Sequence, residues 1–442
     1  MHNMQIPPGA DVEGRRIHPM VPGATEQNRK ANEANAPHRQ RIIDAKRKLR
    51  GQINDMPTRF AAMQARVEAQ IEQIVRERAQ GKTPVPQIEF GELDRITDLQ
   101  KNHIRQRGCL VVRNVFDDAR VDDWTAELSE YLETNDYLEK LKQGGAVDNY
   151  FSTLASAKPQ IYGVFWSRPQ MEARTDPAMA KVHAFLNNLW RFQSPNGPVF
   201  DPELSLVYSD RVRFRQPGDA SLGLSAHVDA GSIERWIDPS YHGTVYRHVF
   251  GGDLDKYDPF EAWGRTGIKE IPSPAVSRMF RTFQGWTALT RQGPNDGTLQ
   301  LLPIANAMPW MLLRALQDDI PEDELCGAAA CRAMMIIKEY HGLLLQGYGS
   351  IPLMQPGDAI FWHPDVLHGV EDAHQGTGYS SVMYIAPAPD CAKNRQYADL
   401  QKPAFEAGLS APDFAPDNFE VSFKGRFTRA DLSPLGLREM GY

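Results

Sequence analysis

Ser225-Ala-His-Val-Asp-Ala-Gly-Ser-Ile-Glu-Arg-Trp236 is the stretch on which the reading of this chain turns. His227 and Asp229 stand two residues apart. In a β-strand such a pair leaves the same face of the sheet. The alternating Arg211, Arg213 and Arg215 and the approach Leu222-Gly223-Leu224 lead into it with strand character. An imidazole and a carboxylate so placed form two thirds of a facial triad for non-haem iron(II), which leaves coordination positions open. The third ligand is expected at His368, in Gln355-Pro-Gly-Asp-Ala-Ile-Phe-Trp-His-Pro-Asp-Val-Leu-His-Gly-Val-Glu371.

A bare His-x-Asp is common, and by itself reads as a surface histidine beside a turn. Two features shift that balance. Ala359-Ile-Phe-Trp362 is an apolar run after a Pro-Gly-Asp turn and reads as a strand. Gly285-Trp-Thr-Ala-Leu289 and Gly297-Thr-Leu-Gln-Leu-Leu-Pro303, joined by a turn-rich segment, read as a hairpin between the halves of the site. His363-x-Asp365 repeats the ligand spacing, but Pro364 inside it argues against a central strand. His363 is instead expected to orient a ligand from behind.

The order His227-x-Asp229, Gly285-Trp-x-x-Leu289, Asp296-Gly-Thr-Leu-x-x-x-Pro303, Gly357-Asp and His368-x-Val370 resembles the iron(II)/2-oxoglutarate-dependent oxygenases of the phytanoyl-hydroxylase-like group. Arg215-Gln-Pro-Gly-Asp-Ala220, Trp166-Ser-Arg-Pro-Gln170 and Ser380-Ser-Val-Met-Tyr-Ile385 are similar to its YbiU-like branch. The resemblance runs from about Gly108 to the C-terminus. It implies an α+β chain with a mainly β core: a double-stranded β-helix (jelly-roll, cupin-like) barrel with N-terminal helices and flanking helical insertions. It also implies His227, Asp229 and His368 as iron ligands, with 2-oxoglutarate and O2 as cosubstrates, and release of succinate and CO2 as a small organic molecule is oxidised. In halogenating relatives a small residue replaces the aspartate, so Asp229 favours hydroxylation or a related oxidation. A non-oxidative metal enzyme and a non-catalytic sensor on the same fold are the alternatives.

In many such oxygenases an arginine about 10 to 14 positions after the distal histidine, on the next strand, holds the cosubstrate's far carboxylate through a planar fork of donors. Residues 378–382 read Gly-Tyr-Ser-Ser-Val and hold none. A cation from another strand must substitute. Arg281 is the first candidate, then Arg213 and Arg215, then Arg235, with Ser381 or Tyr379 supplying a hydroxyl. Arg168, Gln170, Trp236 and Trp286 are candidate substrate contacts.

The 442 residues exceed one typical domain, yet a barrel with insertions absorbs them in one core. Residues 1–36 read as a mobile arm, and this arm or the helices after it are candidate contacts for a homo-oligomer. Residues 37–104 read as a helical segment, with two helices broken near Pro57. The oxygenase domain is expected over 105–390, with a lid-like insertion at 237–271 and a helical insertion at 305–340. Within these, Tyr241, His242, Tyr246 and His248 are further candidate contacts, and Glu322 to Met335 is expected to be helical. Residues 391–442 are expected to pack outside. The net charge of −7 argues against general nucleic-acid affinity. No apolar run reaches membrane-spanning length. The four cysteines form no disulfide or zinc pattern, and no secretory leader is visible, so a reducing cytoplasm is expected.

Overall fold

In the computed structural model, residues 24–143, 159–221, 225–269, 271 and 277–442 are described. The approach Leu222-Gly223-Leu224 and residues 1–23 of the expected arm lie outside them. Eight strands build the centre: β1 (Val212–Arg215), β2 (His227–Val228), β3 (Gln284–Ala288), β4 (Leu299–Leu301), β5 (Gly349–Ser350), β6 (Ala359–Trp362), β7 (His368–Val370) and β8 (Ser380–Tyr384). They divide between two sheets. The larger runs Gln87–Glu89, Cys109–Arg113, β6, β3, β8, β1, Ile161–Tyr162, and the smaller runs Met334–Met335, β2, β7, β4, β5. Apart from the parallel pair Gln87–Glu89 with Cys109–Arg113, the pairings within both sheets are antiparallel.

The sheets face each other across an apolar layer. Val111, Trp286, Ile360, Trp362 and Val382 of the large sheet meet Leu299 and Leu301 of the small one. The intervening positions, Leu110, Val112, Phe361 and Met383, point the other way, under Val121, Trp124, Leu128, Val182 and Leu186 of helices Asp118–Thr134 and Pro177–Asn187. This period-2 split explains why strands such as Cys-Leu-Val-Val are apolar throughout: both faces are covered. Gly285 pairs with Phe361, and a Cβ there would run into the Phe361 ring. Helix Asp98–Arg107 has a Thr97/Gln100 capping box, and ends on Gly108 at φ 67.

Behind the small sheet lies a helical layer. Helix Met56–Ala79 buries Phe60, Met63, Val67, Ile71 and Ile74 in one cluster with Met308, Trp310 and Met311 of Met308–Arg314 and Leu343 and Leu344 of Lys338–Leu345. Pro57 sits in the first turn of this helix, where its missing N–H costs nothing, and the break falls between Gln52 and Met56.

The fold is mixed α/β, built on a large antiparallel-rich sheet, and the sheets remain open where a closed barrel was expected. Their edges end in segments of two or three residues, too short to pair onward. The expected hairpin is also absent: β3 and β4 belong to opposite sheets. Ala24–Asn35, read as arm, is helical, and Asn35 donates to the Ala328 carbonyl. Residues 322–333 are turns where a helix was expected, because Cys326, Gly327 and Cys331 adopt positive φ. The 237–271 insertion folds into short helical turns whose Tyr241, Tyr246, Val249 and Phe250 are buried with the helical layer. It is a packed element, and its Tyr241, Arg265 and Ile268 line a small chamber that reaches Asp229. Among the described residues no helix is long and apolar enough to cross a membrane.

Candidate metal centre

His227 and His368 are opposite one another on the paired strands β2 and β7, with ring centroids 4.3 Å apart. Asp229 follows β2 directly, where Ala230 and Gly231 turn the chain through positive φ. The Tyr241 hydroxyl pins that turn by donating to the Ala230 carbonyl at 2.6 Å. The carboxylate thereby returns towards both imidazoles: Oδ1 lies 3.7 Å from His227 Nε2 and Oδ2 lies 3.4 Å from His368 Nε2. One ligand atom from each residue falls within 4.8 Å of the others.

The ring tautomers are fixed from behind. Nδ1 of His227 faces the Ser225 carbonyl at 2.7 Å, and Nδ1 of His368 faces the Val366 carbonyl at 3.0 Å. A carbonyl only accepts, so Nδ1 carries the proton and Nε2 presents a lone pair. Burial and the neighbouring His368 push the His227 pKa down to about 4, against the pull of Asp229, so this ring is neutral near pH 7. Enclosure pushes the Asp229 carboxyl upward. The neighbouring His368 and His227 imidazoles and Arg281 outweigh that and hold it well below the usual carboxylate range. Two imidazole nitrogens and one carboxylate fit a divalent transition metal.

Gln284 on β3 donates from Nε2 to Asp229 Oδ2 at 2.6 Å. Arg235, fully buried, donates to the Asp229 and Gly231 carbonyls, to Tyr246 and to Asp365. Asp365 also accepts from Arg265 at 2.9 Å, and all three side chains lie within the protein. This network ties the segment carrying Asp229 to the one carrying His368.

The triad opens on a cavity of about 170 Å³ between the sheets, which Arg213, Arg281, Trp286 and Trp362 also line. Arg213 projects inward from β1, with Nη2 3.5 Å from Ser380 Oγ and Nε without a partner. Ser380 in turn donates to Gln292 at 2.6 Å.

The remaining expected residues fall elsewhere. Arg215 donates to the carbonyls of Gly297 and Asp219, and Arg235 is consumed by the network above. Ser381 pairs with Phe214 and shares the outward face of Met383. Tyr379 is exposed. Trp236 is buried in the helical layer, donating to the Leu312 carbonyl. Arg168 forms surface ion pairs with Glu172 and Asp431, and Gln170 bonds the Val164 and Asp210 carbonyls. Neither lines this cavity, nor do His242, Tyr246 or His248, while Tyr241 lines a smaller chamber that shares Asp229, Arg281 and Gln284 with it. His363 is stacked on Trp190 and faces the Pro259 carbonyl; it orients no ligand. Sequence reasoning missed Gln284 and Ser380. Gln284 was findable, because it stands two positions before Trp286 and shares its face.

The family model described as Gig2-like matches residues 36–442, and the chain belongs to that family. It is 40% identical over 410 residues to "Uncharacterized protein YbiU" of Escherichia coli K12, covering 92% of this chain and 97% of that one. A crystal structure named "Putative Oxidoreductase from Salmonella typhimurium LT2" superposes with a TM-score of 0.86 at 40% identity, over 91% of this chain and 96% of the other. The GlcNAc Inducible Gene 2 protein of Candida albicans gives 0.76 at 29% identity, over 91% and 89%. The YbiU-like part of the sequence resemblance is thereby borne out. The matching family model itself names no oxygenase.

Proposed function

We propose that this chain is a non-haem iron(II) oxygenase that uses 2-oxoglutarate to oxidise a small organic molecule. The observation that carries this reading is the convergence of His227 Nε2, an Asp229 carboxylate oxygen and His368 Nε2 on a cavity between two sheets. The winding supports it: β1, β3, β6 and β8 lie in one sheet and β2, β4, β5 and β7 in the other. That alternation supports the path of a double-stranded β-helix, with His227 on the second strand, Asp229 directly after it and His368 on the seventh.

Iron(II), which His227, Asp229 and His368 would hold, would supply oxidative decarboxylation of 2-oxoglutarate to succinate and carbon dioxide, coupled to oxidation of a C–H bond. The residues of the chain prepare that chemistry. The Ser225 and Val366 carbonyls keep both rings in the ligating tautomer, and Gln284 fixes the Asp229 carboxylate. Arg213 receives the far carboxylate of the cosubstrate. Ser380 stands 12 positions after His368, where many oxygenases of this type carry their arginine, and Arg213 brings a guanidinium to that place from the neighbouring strand. Trp286 and Trp362 keep water from the cavity floor.

The test is anaerobic loading with Fe(II) and 2-oxoglutarate, then admission of oxygen. Expected are a visible metal-to-cosubstrate charge-transfer band and iron-dependent succinate, both lost in His227→Ala and Asp229→Ala. Tightly bound zinc with no succinate from the iron-loaded protein would favour a non-oxidative metal enzyme instead.

A further inference from the structure

Beyond Asp229 and Arg213, the charged side chains that line the cavity of about 170 Å³ gather at one end of it. Asp210 and Arg211 lie just before β1, and Arg281 lies shortly before β3. Both strands run antiparallel to β8, so both begin at the same end of the large sheet. All three side chains are partly exposed, and water solvates them. Arg211 also pairs with Asp210 at 3.5 Å and lies 4.5 Å over the Phe414 ring, while Arg281 lies 5.0 Å over the Tyr208 ring.

Around the triad the walls are apolar. Leu299 and Val370 stand side by side on paired strands of the small sheet, and Trp286 and Trp362 come from the large one. All four are buried, and the Trp362 ring centroid is 5.2 Å from that of His368. Asp229 is engaged by the metal centre and Gln284, and Arg213 by the cosubstrate. A charged group carried to this depth loses its water and meets no free counter-charge among the described residues, whereas a hydrocarbon surface is favoured there.

The C-terminal extension, expected outside, reaches the charged end. Residues 411–414 turn, the Phe414 N–H donating to the Ala411 carbonyl at 3.0 Å, and Phe414 lines the cavity. Asp413 fastens this turn. It accepts from the Arg278 backbone N–H at 2.8 Å, from Arg278 Nε at 2.6 Å and from the Tyr208 hydroxyl at 3.2 Å.

We propose that the site selects a small neutral molecule whose reacting end is hydrocarbon, and that Phe414 is a specificity-determining residue closing the outer wall against it. This deepens the oxygenase reading and rests on it.

The probes are benzyl alcohol and cyclohexylmethanol, set against benzoate, cyclohexanecarboxylate and benzylamine. They are titrated against protein loaded with Mn(II) and 2-oxoglutarate. Paramagnetic broadening of the probe's proton resonances reports binding beside the metal, with Zn(II) as the diamagnetic control. The alcohols are expected to bind at least about tenfold more tightly than the charged probes. Phe414→Ala is expected to weaken the alcohols about fivefold and to leave 2-oxoglutarate affinity within about twofold of wild type, with the milder Phe414→Leu in between. Charged probes as tight as the alcohols, alcohols left unbroadened at about 10 mM, or alcohol affinities unmoved in both variants would each overturn the proposal. If the protein takes up no Mn(II) and 2-oxoglutarate, the oxygenase reading fails. Saturation transfer from the metal-free protein still ranks neutral against charged probes and reads their dependence on Phe414.

Discussion

Gln284 Nε2 lies 2.6 Å from Asp229 Oδ2, so a strand of the large sheet fixes the orientation of a ligand carried by the small one. Partners of this kind are worth about 10–100-fold in metal affinity. Gln284→Leu is therefore expected to weaken Fe(II) or Co(II) binding by that factor while leaving the protein folded. Anaerobic metal titration checks it, and an unchanged affinity would remove Gln284 from the site's support.

Arg213 is buried and inward-facing, with Ser380 as its one weak side-chain partner among the described residues. A charge-assisted bond to a carboxylate is worth about 1.5–3 kcal/mol. Arg213→Leu should thus raise the Kd for 2-oxoglutarate by roughly 10–100-fold, with Arg213→Lys in between. Calorimetry on the Mn(II)-loaded protein measures this. Equal affinities in the variant and the wild type would show that another cation holds the cosubstrate.

Asp365 accepts from Arg235 and Arg265 at 2.9 Å each, entirely out of solvent. Removing one charge from such a group leaves the others uncompensated, at about 3–5 kcal/mol. Asp365→Asn is expected to lower stability by that amount in urea unfolding. It should lower metal affinity as well, because Arg235 also holds the Asp229 carbonyl. A variant as stable as the wild type would contradict the assignment.

Glu439, near the C-terminus, is buried, and its Oε2 has no partner. Burial pushes its pKa from 4.5 up to about 8, against Arg438. The folded state thus holds this proton more firmly than the unfolded one. The associated stability is fully present below about pH 4.5 and is lost as pH rises to about 8, by at most about 1.4 kcal/mol per pH unit. Glu439→Gln should flatten that decline, so the two proteins' unfolding midpoints converge at acid pH and the variant is the more stable above pH 8. Parallel profiles would rule the group out.

The members of the His227, Asp229 and His368 group were legible in the sequence because each stands in a short motif whose chemistry is local. Strand phase was not. Ser380 and Ser381 are adjacent and chemically identical, and only pairing with Arg215 and Phe214 decides which looks inward. A slip of one residue turns every side chain to the other face. Arg235 and Trp236 misled for a related reason: polar and aromatic residues beside a metal motif serve packing as readily as binding. In the 237–271 segment, buried tyrosines take the place of the apolar periodicity that would have announced a packed element.

The burial of helix Met56–Ala79 against Met308–Arg314 and Lys338–Leu345 bears on how the chain is made. The ribosome releases this helix long before the segments that cover it. Its apolar stripe, Phe60 to Ile74, must then wait exposed through most of translation. Nascent-chain chaperones should therefore engage the first eighty residues, and let go only when the last third of the polypeptide has emerged.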